Sequence, residues 1–349
     1  MRGVIVKSAN SFSLEDIPKP TIQSPTDVIV KVSATTICGS DVHLIHGDMS
    51  SHWDFPLGHE FVGTVHQLGT AVQDFKLGDR VVAAAGVTCG ECDQCCELKY
   101  QNCVHFGIYG CGNDFGGLGG AQAEFVRVPC ANNCLAPIPD GVSNAQALTV
   151  GDILCTGWTG VERAVAAPGA TLVVFGAGPV GLAAIHTACL SGVSKVIAVD
   201  VIPERLAVAM DLKADHVINP LLEDVGAVVM KLTGGRGADA IVDAAGVKSS
   251  INSWPSVAAL GAKIAMVAIP SGPVEMPLAQ LQMKAATIWM GLADTSRVRM
   301  DTLLQRIKDG SLDPSPIFTE TIAFSEIETG LREFISRKRG LIKPLILFE

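Results

Sequence analysis

The sequence predicts an α/β protein in two parts, a mostly-β domain and a domain built on a doubly wound parallel sheet. Three observations carry that reading. The chain has 349 residues, more than one hydrophobic core usually serves, so two domains are the default. Near position 168 the pattern changes, from short β-rich runs punctuated by proline to apolar strands alternating with helical stretches. At the start of the second part a five-residue apolar run leads straight into the glycine turn Gly176-Ala177-Gly178-Pro179-Val180-Gly181.

Taken in order, Val28-Ile29-Val30-Lys31-Val32 and Phe61-Val62-Gly63-Thr64-Val65 are strands, and Lys76 to Val82 is a turn followed by a strand. Prolines at 18, 20, 25 and 56 separate these elements. The glycine-rich piece Phe115 to Gly120 follows no strand and opens no helix, so it is a loop. Thr171-Leu172-Val173-Val174-Phe175 is the continuous apolar run expected of a strand covered on both faces. Further strands are expected at Lys195 to Val199, His216 to Asn219, Ala240 to Ala244, Lys263 to Ile269 and Thr287 to Leu292, with helices between them. Six strands joined in this way describe a doubly wound sheet. Gly234-Gly235-Arg236-Gly237 is a helix-ending turn. A helix at about Met300 to Lys308 and the strand-like end Leu341 to Leu347 close the chain and can pack back on the first domain. The run Arg337-Lys338-Arg339 is a solvated turn.

Charge narrows the partners. Lysine and arginine total 26 against 35 acids, a formal charge of −9, which disfavours nucleic acid and anionic membrane surfaces. Met1 to Lys7 is too short an apolar run for a secretion signal. Thr171 to Leu190 is nearly uncharged over twenty residues, but its glycines and proline fit a buried strand, turn and helix better than a membrane span. A cytoplasmic protein acting on a small molecule is expected.

Eleven cysteines, an odd number with no secretion signal, argue for reduced thiols used as ligands. Cys89, Cys92, Cys95 and Cys103 form a C-x2-C-x2-C-x7-C series within about 88–104. Four thiolates gathered by turns satisfy a closed, tetrahedral, structural zinc site. Cys96, next to Cys95, could compete for the third position.

Gly176, Gly178, Pro179, Val180 and Gly181 sit between a strand and a helix, and the next strand ends at Asp200, nineteen positions after Gly181. That is the arrangement that binds a dinucleotide: glycines admit the pyrophosphate, the helix N-terminus favours its charge, and the acid takes the ribose hydroxyls. The carboxylate would repel a 2′-phosphate, so NAD is expected over NADP, although Arg205 lies close by.

A second metal site is suggested by Cys38-Gly39-Ser40-Asp41-Val42-His43, by Gly58-His59-Glu60, and by Asp152, an acid in an otherwise apolar stretch. Catalytic zinc needs three protein ligands and an open position, and these residue types supply them.

Together and in this order, these motifs resemble the zinc-containing medium-chain dehydrogenases, over essentially the whole chain. The resemblance implies a GroES-like catalytic domain from residues 1–153 and 294–349, with a Rossmann domain, 154–293, inserted. It implies Cys38, His59 and Asp152 as catalytic-zinc ligands, Glu60 as a neighbouring acid able to enter the coordination sphere, and Ser40 and His43 as a proton relay. Thr156 falls on the nicotinamide side, and Arg205 near the adenosine ribose. Two features depart from the common pattern: Asp152, where many relatives carry cysteine or glutamate, and the doublet Cys95-Cys96. The expected function is a zinc-dependent, NAD-linked alcohol dehydrogenase, homodimeric or homotetrameric. The alternatives are a polyol dehydrogenase, a zinc-independent quinone or enone reductase, and a non-catalytic zinc-binding protein. Trp53, Tyr109, Phe115 and Trp158 are candidate pocket-lining aromatics, although aromatics of this kind are more often ordinary core or interface residues.

Overall fold

The computed structural model describes residues 1–48, 53–165, 168–336 and 338–349, so Arg337 of the basic run lies outside the described residues. The chain divides into two units, one formed by Met1–Cys155 with Asp294–Glu349 and the other by Thr156–Ala293.

In the second unit, strand Thr171–Phe175 is buried along its whole length. It pairs in parallel with Lys195–Val199 on one side and Ala238–Asp243 on the other. Outward from these lie His216–Ile218 on one edge, and Ala258–Met266 then Thr287–Met290 on the other, all parallel. Starting from the first strand, the order runs outward in both directions and reverses beside it, as in a doubly wound dinucleotide fold. The strand expected from Lys263 begins earlier, at Ala258, because Ala238 pairs with Ala258 across a register break. Trp254, Ile241 and Ile264 fill the core on one face. Gly234, Gly235 and Gly237 all have positive φ after helix Val225–Leu232, so this stretch does end a helix.

The first unit is mostly β. Its main sheet joins both chain ends. Strand Val28–Thr36 pairs antiparallel with Phe61–Leu68 and with the C-terminal strand Pro344–Leu347, which lies parallel to Glu320–Ala323. Tyr109 is fully buried in this unit's core, edge-on to Phe61 with ring centroids 5.3 Å apart. Trp53 packs across Gly47 and, with Phe115, against a cluster containing Leu44 and Leu57. Tyr109 is therefore a core residue and not a pocket wall. Phe115 closes the short turn Asn113–Phe115 in the glycine-rich loop. Among the described residues no helix is long and apolar enough to cross a membrane.

Sheet register explains why distant motifs meet. Thr35 pairs with Phe61 and Leu345 with Thr36, so Cys38, His59-Glu60 and Lys343 emerge at one end of three neighbouring strands. Val82 of strand Arg80–Ala83 pairs with Val62. Gly151 then packs on this strand so closely that a Cβ would lie 2.2 Å from the Ala83 carbonyl oxygen. Glycine there brings Asp152 to the same end.

Candidate active site and metal centres

Cys38 caps the start of helix Gly39–His46. Its thiol, the His59 imidazole and the Glu60 and Asp152 carboxylates offer ligand atoms that all lie within 4.8 Å of one another. His59 Nε2 is 3.5 Å from Asp152 Oδ2 and 3.9 Å from Glu60 Oε1. A nitrogen and an oxygen bound tetrahedrally to one zinc sit about 3.4 Å apart. His59 and Glu60 are buried, while Asp152 is half-buried.

Charge shows what this pocket lacks. Lys343, fully buried, lies with Nζ 2.6 Å from Glu60 Oε1 and donates to the Ile37 carbonyl at 3.4 Å. The Cys38 thiol and the Glu60, Asp152 and Asp41 carboxylates gather around that one ammonium, an oxygen- and sulfur-rich donor set of the kind that holds a divalent cation. Burial opposes a charged His59 ring, yet Asp152 and Cys38 outweigh it and hold its proton affinity well above the ordinary range. Burial pushes the Glu60 and Asp41 carboxyls up. His59 Nδ1, Asp41 Oδ1, Glu60 Oε2 and Ser40 Oγ are buried without a hydrogen-bond partner. The donor set and its orphaned atoms fit zinc with three or four protein ligands.

Asp41 accepts from the Cys38 N–H at 2.9 Å, and its other oxygen is 3.9 Å from His59 Nδ1. A carboxylate on the far side of a ligating imidazole is the usual way its ring is oriented. Ser40 and His43 lie one helical turn apart on helix Gly39–His46, and His43 Nδ1 is 3.1 Å from Asp48 Oδ2.

The four-cysteine series gathers as well. Sγ–Sγ separations of 3.6 Å (Cys89–Cys103) and 4.0 Å (Cys89–Cys95 and Cys92–Cys103) bracket the spacing of about 3.8 Å that four sulfurs around one zinc require. The N–H groups of Cys92 and His105 point at Cys89 and Cys103 sulfurs at 3.4 Å. Backbone N–H groups of Val104 and Cys95 bring the Cys92 thiol down to about 6, whereas burial pushes Cys95 and Cys103 up. Four sulfurs this close need a cation to be thiolates together. Cys96 stands outside the cluster, exposed and bonded to the Glu91 carbonyl. Cys95→Ser is therefore expected to lose one zinc per chain and Cys96→Ser none. Metal analysis of the two purified variants checks this, and zinc loss from Cys96→Ser would contradict the assignment.

In the second unit, Gly176 has φ +87° and a Cβ there would meet the Ala245 nitrogen at 2.9 Å. A Cβ at Gly181 would lie 1.7 Å from the Gly176 carbonyl oxygen. Pro179 and Val180 open helix Pro179–Ala188, with Pro179 at its first position and Gly178 as its cap. Asp200 holds the turn from behind: Oδ2 accepts from Ala177 N–H at 2.7 Å and Oδ1 from Ile202 N–H at 2.9 Å. Arg205 reaches to 3.7 Å from Asp200 Oδ2. Thr156 and Trp158 are half-buried on helix Ile153–Ala164. Gly181→Ala must push the turn and helix apart; overpacking costs about 1–3 kcal/mol, so NADH binding is expected to weaken about tenfold to hundredfold. Fluorescence titration reads this, and unchanged affinity would contradict the assignment of the turn.

Asp41, Gln122 and Lys343 join the site although no motif spacing assigns them a role. Lys343 did carry a signal, as the one charge in the apolar run Leu341 to Leu347. Gln122 carried none.

Comparison with known proteins agrees with the geometry. Residues 24–140 match the alcohol dehydrogenase GroES-like domain, and residues 179–309 match the zinc-binding dehydrogenase domain. The chain is 33% identical over 362 residues to an alcohol dehydrogenase of Cupriavidus necator, covering 99% of this chain and 98% of that one. It is 33% identical over 332 residues to a probable zinc-binding alcohol dehydrogenase of Mycobacterium tuberculosis, covering 95% and 84%. The structure of alcohol dehydrogenase TADH from Thermus sp. ATN1 superposes over the full length of both chains with a TM-score of 0.94 at 35% identity. With a zinc-fitting donor set in one unit, a dinucleotide turn in the other and relatives along its whole length, this chain belongs to the zinc-containing medium-chain dehydrogenases and is an oxidoreductase of the alcohol and polyol type.

Proposed function

We propose that the chain is a zinc-dependent, NAD-linked alcohol dehydrogenase, interconverting a primary or secondary alcohol with its aldehyde or ketone. The observation that carries this reading is the convergence of Cys38, His59, Glu60 and Asp152 beside the helix bearing Ser40 and His43. Cys38, His59 and Asp152 would hold the catalytic zinc, with the Glu60 carboxylate, tethered by Lys343, within reach as a fourth ligand. Cys89, Cys92, Cys95 and Cys103 would hold a structural one. When bound, zinc supplies Lewis-acid polarisation of a substrate oxygen and the nicotinamide accepts or gives the hydride.

The chain's own residues do the rest. Ser40 Oγ, buried and without a partner, would accept the proton of the substrate hydroxyl as it gives up its own, and His43, beside Asp48 one helical turn on, would pass a proton to solvent. Gly176, Gly178 and Gly181 let the backbone approach the pyrophosphate, and Pro179 and Val180 begin the helix whose N–H groups receive it. Asp200 would accept from the adenosine ribose hydroxyls and disfavour a 2′-phosphate, while its contact with Arg205 offsets part of that arginine's charge. Thr156 would contact the nicotinamide. Strand Thr287–Met290 ends its sheet with Met290 exposed, which supports a homodimer or homotetramer.

A quinone or enone reductase of the same fold has no use for the Cys38 cluster, and a non-catalytic protein none for Ser40 and His43. An NADH absorbance assay over short secondary alcohols, aromatic alcohols and polyols, with NAD and NADP compared, tests the reading. Turnover of a simple alcohol with NAD is expected; activity confined to polyols would favour the polyol alternative, and no turnover with any alcohol would overturn the proposal.

A further inference from the structure

We propose that Gln122 is a positioning residue for the catalytic metal site, clamping the segment that carries Cys38 to the segment that carries His59. The inference rests on the reading of Cys38, His59 and Asp152 as zinc-holding residues.

Gln122 is fully buried and bonds in two directions. Its backbone N–H donates to the Leu57 carbonyl at 2.8 Å, and the neighbouring Ala121 N–H donates to Gly58 at 2.8 Å, so the chain here is laced to the residues just before His59. The two backbones lie so close that a Cβ on Gly58, whose φ is +93°, would meet the Gln122 nitrogen at 2.8 Å. The side chain crosses to the other segment. Nε2 donates to Asp41 Oδ2 at 3.0 Å and to the Thr36 carbonyl at 3.3 Å. Both partners only accept, so the amide orientation is dictated: two N–H bonds of one nitrogen meet two acceptors. Asp41 Oδ2 also receives the Cys38 N–H, and Asp41 Oδ1 faces His59 Nδ1 at 3.9 Å. Gln122 thus holds the carboxylate that bonds the Cys38 N–H and faces the far side of the His59 ring.

An amide of this length supplies both donors through Nε2. Glutamate has the same shape but would set a second carboxylate against Asp41 and could donate nothing when ionised. Methionine keeps the volume and leaves Asp41 and Thr36 unpaired. Neither change alters a metal ligand.

The test is competition of the holoenzyme's zinc with a chelating dye in wild type, Gln122→Met and Gln122→Glu. Outer partners of a ligating histidine typically set metal affinity by about 10–100-fold. Zinc at the Cys38 site is expected to bind that much more weakly in both variants, while zinc on the four cysteines is captured as in wild type and serves as the internal control. In an Asp41→Asn background, Gln122→Met should add little further loss. Unchanged affinity in both variants, equal weakening of both zincs, or a full additional loss on top of Asp41→Asn would each overturn the proposal. A wild-type chain that retains only one zinc overturns the underlying functional reading, and this inference with it; wild-type affinity in the variants of a two-zinc protein overturns the inference alone.

Discussion

Cys38→Ser and Asp152→Ala are each expected to abolish alcohol turnover while leaving NADH binding intact. Serine keeps the size of the Cys38 side chain, but its hydroxyl does not ionise near neutrality and does not replace a thiolate. Alanine at 152 removes the carboxylate 3.5 Å from His59 Nε2. Either change breaks a set whose ligand atoms lie within 4.8 Å of one another. Lewis-acid stabilisation supplies several kcal/mol to the transition state, and each 1.4 kcal/mol is about tenfold in rate. A fall in kcat of about a thousandfold or more follows. The glycine turn, Asp200 and Arg205 contact one another within the other unit, so NADH affinity should stay within about twofold, as for independent sites. Steady-state kinetics and NADH fluorescence together check this. A variant that keeps a tenth of its turnover would remove that residue from the machinery.

Lys343→Met is expected to cause the largest loss of stability. The Lys343 ammonium and the Glu60 carboxylate are both buried, 2.6 Å apart. Removing one partner of such a pair leaves an uncompensated buried charge and costs about 3–5 kcal/mol, whereas neutralising both costs little. Lys343→Met should therefore lower the urea midpoint of unfolding strongly, and Lys343→Met combined with Glu60→Gln should restore most of it. Additive losses in the double variant would show that the pair is not the source of the effect.

Much of this was legible because it is local. The spacing of Cys89, Cys92, Cys95 and Cys103 needs only turns to close, and they do close. Gly176 to Gly181 is a strand-to-helix turn whose glycines answer contacts within the unit, Gly181 against Gly176 and Gly176 against Ala245. Strands of the parallel sheet followed from continuous apolar runs, with ends displaced by a few residues where register breaks. What stayed hidden depends on register between distant strands. Glu60 meets Lys343 only because Leu345 pairs with Thr36 while Thr35 pairs with Phe61. Gln122 reaches Asp41 through a loop bonded to Leu57, and no spacing rule announces an amide in that role. Cys95 and Cys96 are neighbours on the short helix Asp93–Cys96, where successive side chains point in different directions and only one faces the cluster. Tyr109 looked available as an aromatic and is buried against Phe61.

The most direct test of the account is to follow zinc content and NADH-linked alcohol oxidation together while a chelator withdraws metal. Two zincs per chain are expected at the start, with activity falling in step with loss of the one at Cys38, His59 and Asp152 and returning when zinc is restored. Full activity in a zinc-free preparation would contradict it.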